Sequence, residues 1–223
     1  MLGVLRFSAA AMKESIVRFF CNALVQANHP GLVCHNSSEI IIHGKLTVQG
    51  RVNIGRRTRV IIESGCHLIL EGENDILDDV LIGPGSQMVI GRGASIQEHC
   101  TLLGQVAIGA YSLLAPRVFA SSGQHAFKGQ GNLPAWSMIR LQDHLQPCYG
   151  GPIKVGRDCW IGINTVILPG CKLAQGSIVG AASVLMGSYY CTKYSVIAGA
   201  PAAYVGRRWT DPSLQLSQDE LHD

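Results

Sequence analysis

Aliphatic or small apolar residues recur at intervals of six along most of this chain. One run is Ile42, Val48, Ile54, Val60 and Cys66, and a second is Ile90, Ile96, Leu102, Ile108 and Leu114. A third is Val155, Ile161, Ile167, Leu173, Val179, Leu185 and Cys191, with Ile197 still in phase. Helices repeat near 3.6 and lone strands near 2, so a period of about six describes neither. Glycine often follows the aliphatic, as in Ile54-Gly55, Ile90-Gly91, Ile108-Gly109 and Val179-Gly180. The fifth position is small or β-branched: Thr58, Ala94, Cys100, Val106, Ser112, Val118, Cys159, Thr165, Cys171, Ser177 and Ser183. Such a unit is a short strand with inward side chains and a corner where a bend is cheap. Stacked in threes, the units predict an all-β chain wound as a triangular prism, about eighteen residues per coil, with coils about 4.8 Å apart.

The rhythm breaks twice. Between Gly72 and Met88, Glu73, Asp75, Asp78 and Asp79 crowd around Ile76 and Leu77, which predicts a local irregularity before the phase returns at Ile90. The longer break, 121–152, carries Gly123, Gly129, Gly131, Pro134, Pro147, Gly150 and Gly151 with His125 and His144. An excursion of about thirty residues exceeds an ordinary connection and points to function. Upstream, from about Ser8 to Asn28, Ile16, Phe20, Ala23, Leu24 and Ala27 share one helical face, and His29-Pro30-Gly31 ends it. A helix here would cap the first coil, whose core and backbone groups otherwise face water. Lys13 and Arg18 on the same segment also permit a peripheral membrane contact, against which Glu14 counts. The chain thus divides into a helical cap (1–35), a β-helix (36–208) with its excursion loop (121–152), and a polar, acidic tail (209–223) that reads as frayed chain.

Composition narrows the class. With 223 residues, 47% apolar and 26 Gly, the chain fits one glycine-cornered domain, and neither disorder nor collagen. A net charge of +3 with no basic stripe excludes a dedicated nucleic-acid binder. The cysteines include no CxxC pair, and Arg6, Lys13, Glu14 and Arg18 interrupt the N-terminal apolar stretches, so neither a secretion signal nor a spanning helix fits. A cytoplasmic protein with reduced thiols is expected, in solution or at the inner face of the membrane. Cys100, Cys159 and Cys171 occupy the small inward slot and read as core.

Four segments in order carry a family resemblance: Val155-Gly156-Arg157-Asp158-Cys159-Trp160-Ile161-Gly162, Ile167-Leu168-Pro169-Gly170, Val179-Gly180-Ala181-Ala182-Ser183-Val184 and Ala198-Gly199-Ala200-Pro201-Ala202. Beyond about residue 40 the chain resembles the hexapeptide-repeat acyltransferases, in particular the branch of maltose, galactoside and polysaccharide O-acetyltransferases. The resemblance implies a left-handed parallel β-helix, a homotrimer with active sites between neighbouring subunits, and acetyl-CoA as acyl donor, with no metal. Handedness comes from the resemblance alone; the general preference for right-handed crossovers points the other way.

Acylation of a sugar hydroxyl needs a base, because an alcohol is a poor nucleophile near neutral pH. His125, at the start of the excursion, matches the family's catalytic histidine. Glu98 and His99 are candidates for acceptor contact, and Glu98 or a backbone carbonyl for orienting the base. Trp160 matches the tryptophan lining the family's site, since an indole hardly fits inside the prism. Small residues such as Gly162, Gly180, Ala181 and Ala182 would let pantetheine approach closely in a groove between adjacent prisms, though the repeat demands the glycines equally. The resemblance selects Ala181, and gives an oxyanion-stabilising role to a coil backbone amide. The chain departs from the family at two phosphate contacts: Met186-Gly187 replaces Thr-Lys, and Ala203 stands where a basic residue is expected. Lys193, Arg207 and Arg208 are the nearby cations that could replace them.

The expected activity is O-acetylation of a sugar hydroxyl of a cell-surface polysaccharide or its precursor, and three other functions compete with it. An N-acetyltransferase acting on an amino sugar or nucleotide sugar needs the same base. A zinc carbonic anhydrase on this scaffold needs three converging histidines, and the close pair five apart is missing. A noncatalytic β-helix scaffold would bind no CoA and tolerate change at His125.

Overall fold

The computed structural model describes residues 22–124, 149–187 and 189–209. Short parallel strands stack into three faces, which the chain visits in strict rotation. The first coil places Leu32–Cys34 on the first face, Glu39–Ile42 on the second and Lys45–Val48 on the third. Val52–Ile54 then returns to the first face and pairs in parallel with Leu32–Cys34. The same order continues to Ile178–Val179 and Val184–Leu185 in the seventh coil. A parallel β-helix is therefore the architecture, as the period of six predicts.

The coil length is uniform only in the C-terminal half. There Ser95 pairs with Leu113 and Trp160 with Ile178, an offset of 18 residues each time. Leu32 pairs with Val52 and Val52 with Asn74, offsets of 20 and 22. The early coils have four-residue strands such as Arg59–Ile62 and His67–Leu70, joined by a wider corner through Gly65. The first six-step run is accordingly corrected: Ile54 and Val60 are buried, but Ile42, Val48 and Cys66 are only partly so, and Leu68 and Leu70 line the third face instead. Nor is the stretch from Gly72 to Met88 irregular. Ile76, Val80, Ile82 and Met88 all lie in the core, and what changes is the residue count per coil.

The fifth-position residues behave uniformly: Thr58, Ala94, Cys100, Ser112, Val118, Cys159, Thr165, Cys171, Ser177 and Ser183 are all buried. A buried hydroxyl is costly unless bonded. Ser112 Oγ donates to the Gly156 carbonyl at 2.8 Å and accepts the Cys159 N–H at 3.0 Å, which ties the fifth coil to the sixth. Burial pushes the thiols of Cys100 and Cys159 up to about 11.

Both ends of the prism are closed. Residues 22–28 are helical, and from this helix Gln26 Oε1 accepts the Cys34 N–H at 3.0 Å, while Asn22 Nδ2 donates to the Ser38 carbonyl at 2.9 Å. The first coil begins at Leu32, within the 1–35 span assigned to the cap. The remainder of the expected helix, and with it the expected membrane contact, lies outside the described residues. At the other end Ala202–Arg207 folds back antiparallel on Ser195–Gly199 and closes the first face. Trp209, where the sequence predicts frayed chain, instead packs with its ring centroid 6.5 Å from that of Tyr194.

The excursion leaves the fifth coil between the second face (Phe119–Ser121) and the third (Ile153–Val155). Val106 accordingly pairs with Ile153, 47 residues on, where neighbouring coils need 18. Its neck is a two-stranded antiparallel ladder, Gly123 opposite Gly150 and Gln124 opposite Tyr149. A side chain at Gly150 would place its Cβ 2.0 Å from the Ser122 carbonyl oxygen, so glycine is required for this close approach.

Candidate active site

One row of outward side chains crosses the first face, coil by coil. Register pairing sets Asn53 beside Asp75, Asp75 beside Ser95, Ser95 beside Leu113, Leu113 beside Trp160, and Trp160 beside Ile178. The row is polar over coils two to four and apolar beyond. Trp160 is 53% exposed, which places the indole outside the prism as expected.

The edge between the first and second faces changes one coil later, from charged positions through the fifth coil to mostly small or apolar ones beyond. Its leading positions are Arg56 and Arg57 in the second coil, Asp78 and Asp79 in the third, and Glu98 and His99 in the fourth. In the fifth coil they are Pro116 and the exposed Arg117, in the sixth Ile163 and Asn164, and in the seventh Ala181 and Ala182. Asp79, His99, Asn164 and Ala182 share a left-handed φ of 55–60°, so the corner is repeated with little change from coil to coil. The fold therefore brings Glu98, His99, Gly162, Gly180 and Ala181 onto a single edge, adjoining the face that carries Trp160.

Charge on this edge is organised as a ladder. Arg57 Nε donates to Asp79 Oδ1 at 2.7 Å, and Asp79 Oδ2 lies 3.9 Å from His99 Nδ1. Hydrogen bonding from Arg57 holds the Asp79 carboxyl below the usual carboxylate range. Asp79, in the acidic cluster where the broken rhythm predicts an irregularity, is thus the neighbour of His99. The sequence pattern alone hid this, because Asp79 and His99 meet only when the coil length is 20.

Backbone donors are available on the same edge. The amides of Gly162, Asn164, Gly180 and Ala182 are bonded to the carbonyls of Val179, Pro116, Ile197 and Ile163. Among the described residues the intervening amides of Ile163 and Ala181 take no such partner. At the equivalent corner of the second coil the Arg56 N–H donates to Asp78 Oδ1 at 2.7 Å, so an amide in this position can hold an anionic oxygen.

The expected phosphate-binding cations are placed differently. Lys193 and Arg208 lie by the edge between the third and first faces, on the far side of the first face from Gly162 and Ala181. Arg208 Nη1 is bonded to Asp158 Oδ2 at 2.8 Å and to the Asp158 carbonyl at 3.0 Å, so its charge is already committed. Arg207 is exposed at the end of the closing strand. His125 falls outside the described residues, next after Gln124 at the excursion neck.

Residues 152–187 match the family model described as "Bacterial transferase hexapeptide (six repeats)". Among curated proteins, the chain is 28% identical over 156 residues to WbbJ of Escherichia coli (strain K12), named as an O-acetyl transferase of lipopolysaccharide biosynthesis. That match covers 65% of this chain and 77% of WbbJ. It is 31% identical over 117 residues to galactoside O-acetyltransferase of the same organism, covering 51% of this chain and 52% of the relative. Among solved structures, the D94A mutant of AntD, an N-acyltransferase from Bacillus cereus crystallised with dTDP and coenzyme A, superimposes with a TM-score of 0.50. At 15% identity, over 84% of this chain and 89% of AntD, that likeness is one of fold. Coiled strands and repeat define a hexapeptide-repeat protein. Residues 152–187 carry the hexapeptide transferase repeat, and the chain is similar to the acetyltransferases WbbJ and galactoside O-acetyltransferase over the spans given. Among the described residues no helix is long and apolar enough to cross a membrane.

Proposed function

We propose that the protein transfers an acetyl group from acetyl-CoA to a sugar hydroxyl, with His125 as general base, in a site built between neighbouring copies of a homotrimer. The observation that carries this is the shared change along the first face and its edge. The face is polar through the fourth coil and its edge charged through Arg117 in the fifth, and both are then small or apolar around Trp160, Ile163 and Ala181, with Asn164 the one polar corner. The apolar half suits a pantetheine arm beside Trp160, Gly162, Gly180 and Ala181, and the polar half, with Glu98 and His99, suits a hydroxylated acceptor.

Topology supports the intersubunit arrangement. The excursion leaves at the edge between the second and third faces, and in a triangular prism that edge lies opposite the first face. Within one chain the neck next to His125 and the Trp160 face point away from each other. A site that uses both takes them from two copies, as a closed ring of identical subunits allows.

The donor supplies an activated acyl group as a thioester. His125 accepts the proton of the acceptor hydroxyl as the new C–O bond forms, and returns it to the sulfur as the C–S bond breaks. The amide of Ile163 or Ala181 donates to the carbonyl oxygen as negative charge develops there, and being held by the coil it needs no reorganisation. Lys193 and Arg207 attract the donor's phosphates.

Two relatives named as O-acetyltransferases favour a hydroxyl over an amine. The test is thiol release from acetyl-CoA by purified protein in the presence of sugars, amino sugars, nucleotide sugars and polysaccharide fragments. Release only with hydroxyl acceptors, together with an ester product, is expected; release only with amino sugars would replace this reading by the N-acetyl one.

A further inference from the structure

A groove of about 430 Å³ opens on the first three coils, on the first face and its edge toward the second, well away from Trp160. Its apolar wall includes Val33 and Leu77, and its polar wall includes His35, Asn53, Arg56 and Asp78. Gly55 in its lining packs tightly against the third coil: a Cβ there would lie 2.5 Å from Asp78 Oδ1 and 2.6 Å from the Leu77 carbonyl carbon.

The polar groups are held in place before any ligand arrives. Asp78 Oδ1 accepts the Arg56 N–H at 2.7 Å, leaving the other carboxylate oxygen as an acceptor. Asn53 Nδ2 donates to Asp75 Oδ1 at 2.6 Å, which fixes the amide plane and leaves its oxygen available. The Ser37 N–H donates to His35 Nδ1 at 3.1 Å, so the neutral ring carries its proton on Nε2, as a donor. Planar carboxylate, amide, imidazole and guanidinium groups around an aliphatic wall are suited to a pyranose. Neighbouring hydroxyls are bonded in pairs by the planar groups, and the C–H face of the ring rests on the apolar side.

We infer that this groove is a carbohydrate subsite for a sugar unit remote from the one acylated, so that the acceptor is an oligosaccharide or polysaccharide chain laid along the prism. The inference rests on the proposed function for the direction of the chain. At about 4.8 Å per coil, the second coil stands about 10 Å from Glu98 and His99 and about 19 Å from Trp160. Several sugar units span that interval, and the polar row Asn53, Asp75 and Ser95 lies between. Binding energy from the remote unit would favour long acceptors over monosaccharides.

The experiment is direct binding of oligosaccharides of one to six units, prepared from deacetylated galactan, glucan and rhamnan, by calorimetry and saturation-transfer NMR. Affinity is expected to rise at least about tenfold between one and four units for one of the three series. Asp78→Asn and Val33→Arg, the second filling the groove from an exposed strand position, are expected to abolish that gain while melting temperature and CoA affinity stay as in the parent. No binding by any series, or unchanged length dependence in both variants, overturns the subsite. Because the readout is binding, a protein that binds long chains through the groove but acetylates no sugar would defeat the proposed function and leave the subsite standing.

Discussion

Arg208 Nη1 donates to both the carboxylate and the carbonyl of Asp158, at 2.8 and 3.0 Å, and so fastens the chain after the closing strand to the corner just before Trp160. The side chains are 25% and 43% exposed, so solvent screens the pair in part. Arg208→Gln is expected to lower unfolding free energy by about 1 kcal/mol in urea titrations. Because this guanidinium is already engaged, KM for acetyl-CoA should change less than about twofold. Lys193→Ala and Arg207→Ala should each raise it about tenfold, the worth of a lost charge-assisted hydrogen bond. The reverse ranking would return Arg208 to the donor site.

Gly150 has no room for a methyl group, since the Ser122 carbonyl would sit 2.0 Å from it. Gly150→Ala is expected to push apart the neck Gly123–Gln124 against Tyr149–Gly150 and displace the residue that follows Gln124. Turnover should fall by at least about tenfold, while stability falls by only about 1–3 kcal/mol, the ordinary cost of overpacking. Steady-state kinetics beside a thermal melt separates the two effects. Equal activity in this variant would show that the neck does not position His125.

The inward cysteines make a pH prediction. Burial raises Cys34 to about 12, and Cys100 and Cys159 to about 11, so the folded chain holds these protons where an unfolded chain loses them. The sign follows: stability is at its full value below about pH 8.5, the ordinary thiol range, and declines as pH rises toward 11. Denaturant midpoints between pH 8 and 10 should drop. Over the same range iodoacetamide should label the half-buried Cys66 and spare Cys100 and Cys159. Rapid labelling of Cys159 in the folded protein would contradict its place in the core.

Much of the fold was legible because the fifth-position residues have nowhere else to go: Cys100, Ser112, Cys159 and Ser183 are small because the interior of a corner is small. The misreadings share one cause. A strict step of six assumes coils of 18, whereas Leu32 to Val52 and Val52 to Asn74 take 20 and 22. That error displaced Ile42, Val48 and Cys66 and hid the adjacency of Asp79 and His99. Trp160 was readable as outward because its size conflicts with the core. The commitment of Arg208 to Asp158 was not readable, because it depends on a strand that reverses at Ala202, stacks on Ser195–Gly199 and brings Arg208 back to the corner before Trp160.

In the proposed site, one copy's excursion serves another copy's first face. Alone, His125→Ala should lower turnover by about 10²–10⁴-fold and leave CoA affinity nearly intact. Trp160→Ala should lower it by at least about tenfold through the donor groove. Co-expression of the two variants tests the claim most directly. In mixed trimers about one site in four draws its histidine from one copy and its tryptophan from another, both intact, so turnover should recover to roughly a quarter of the parent's. Turnover no higher than the mean of the two single variants would mean that each site is built within one chain, and would contradict the account.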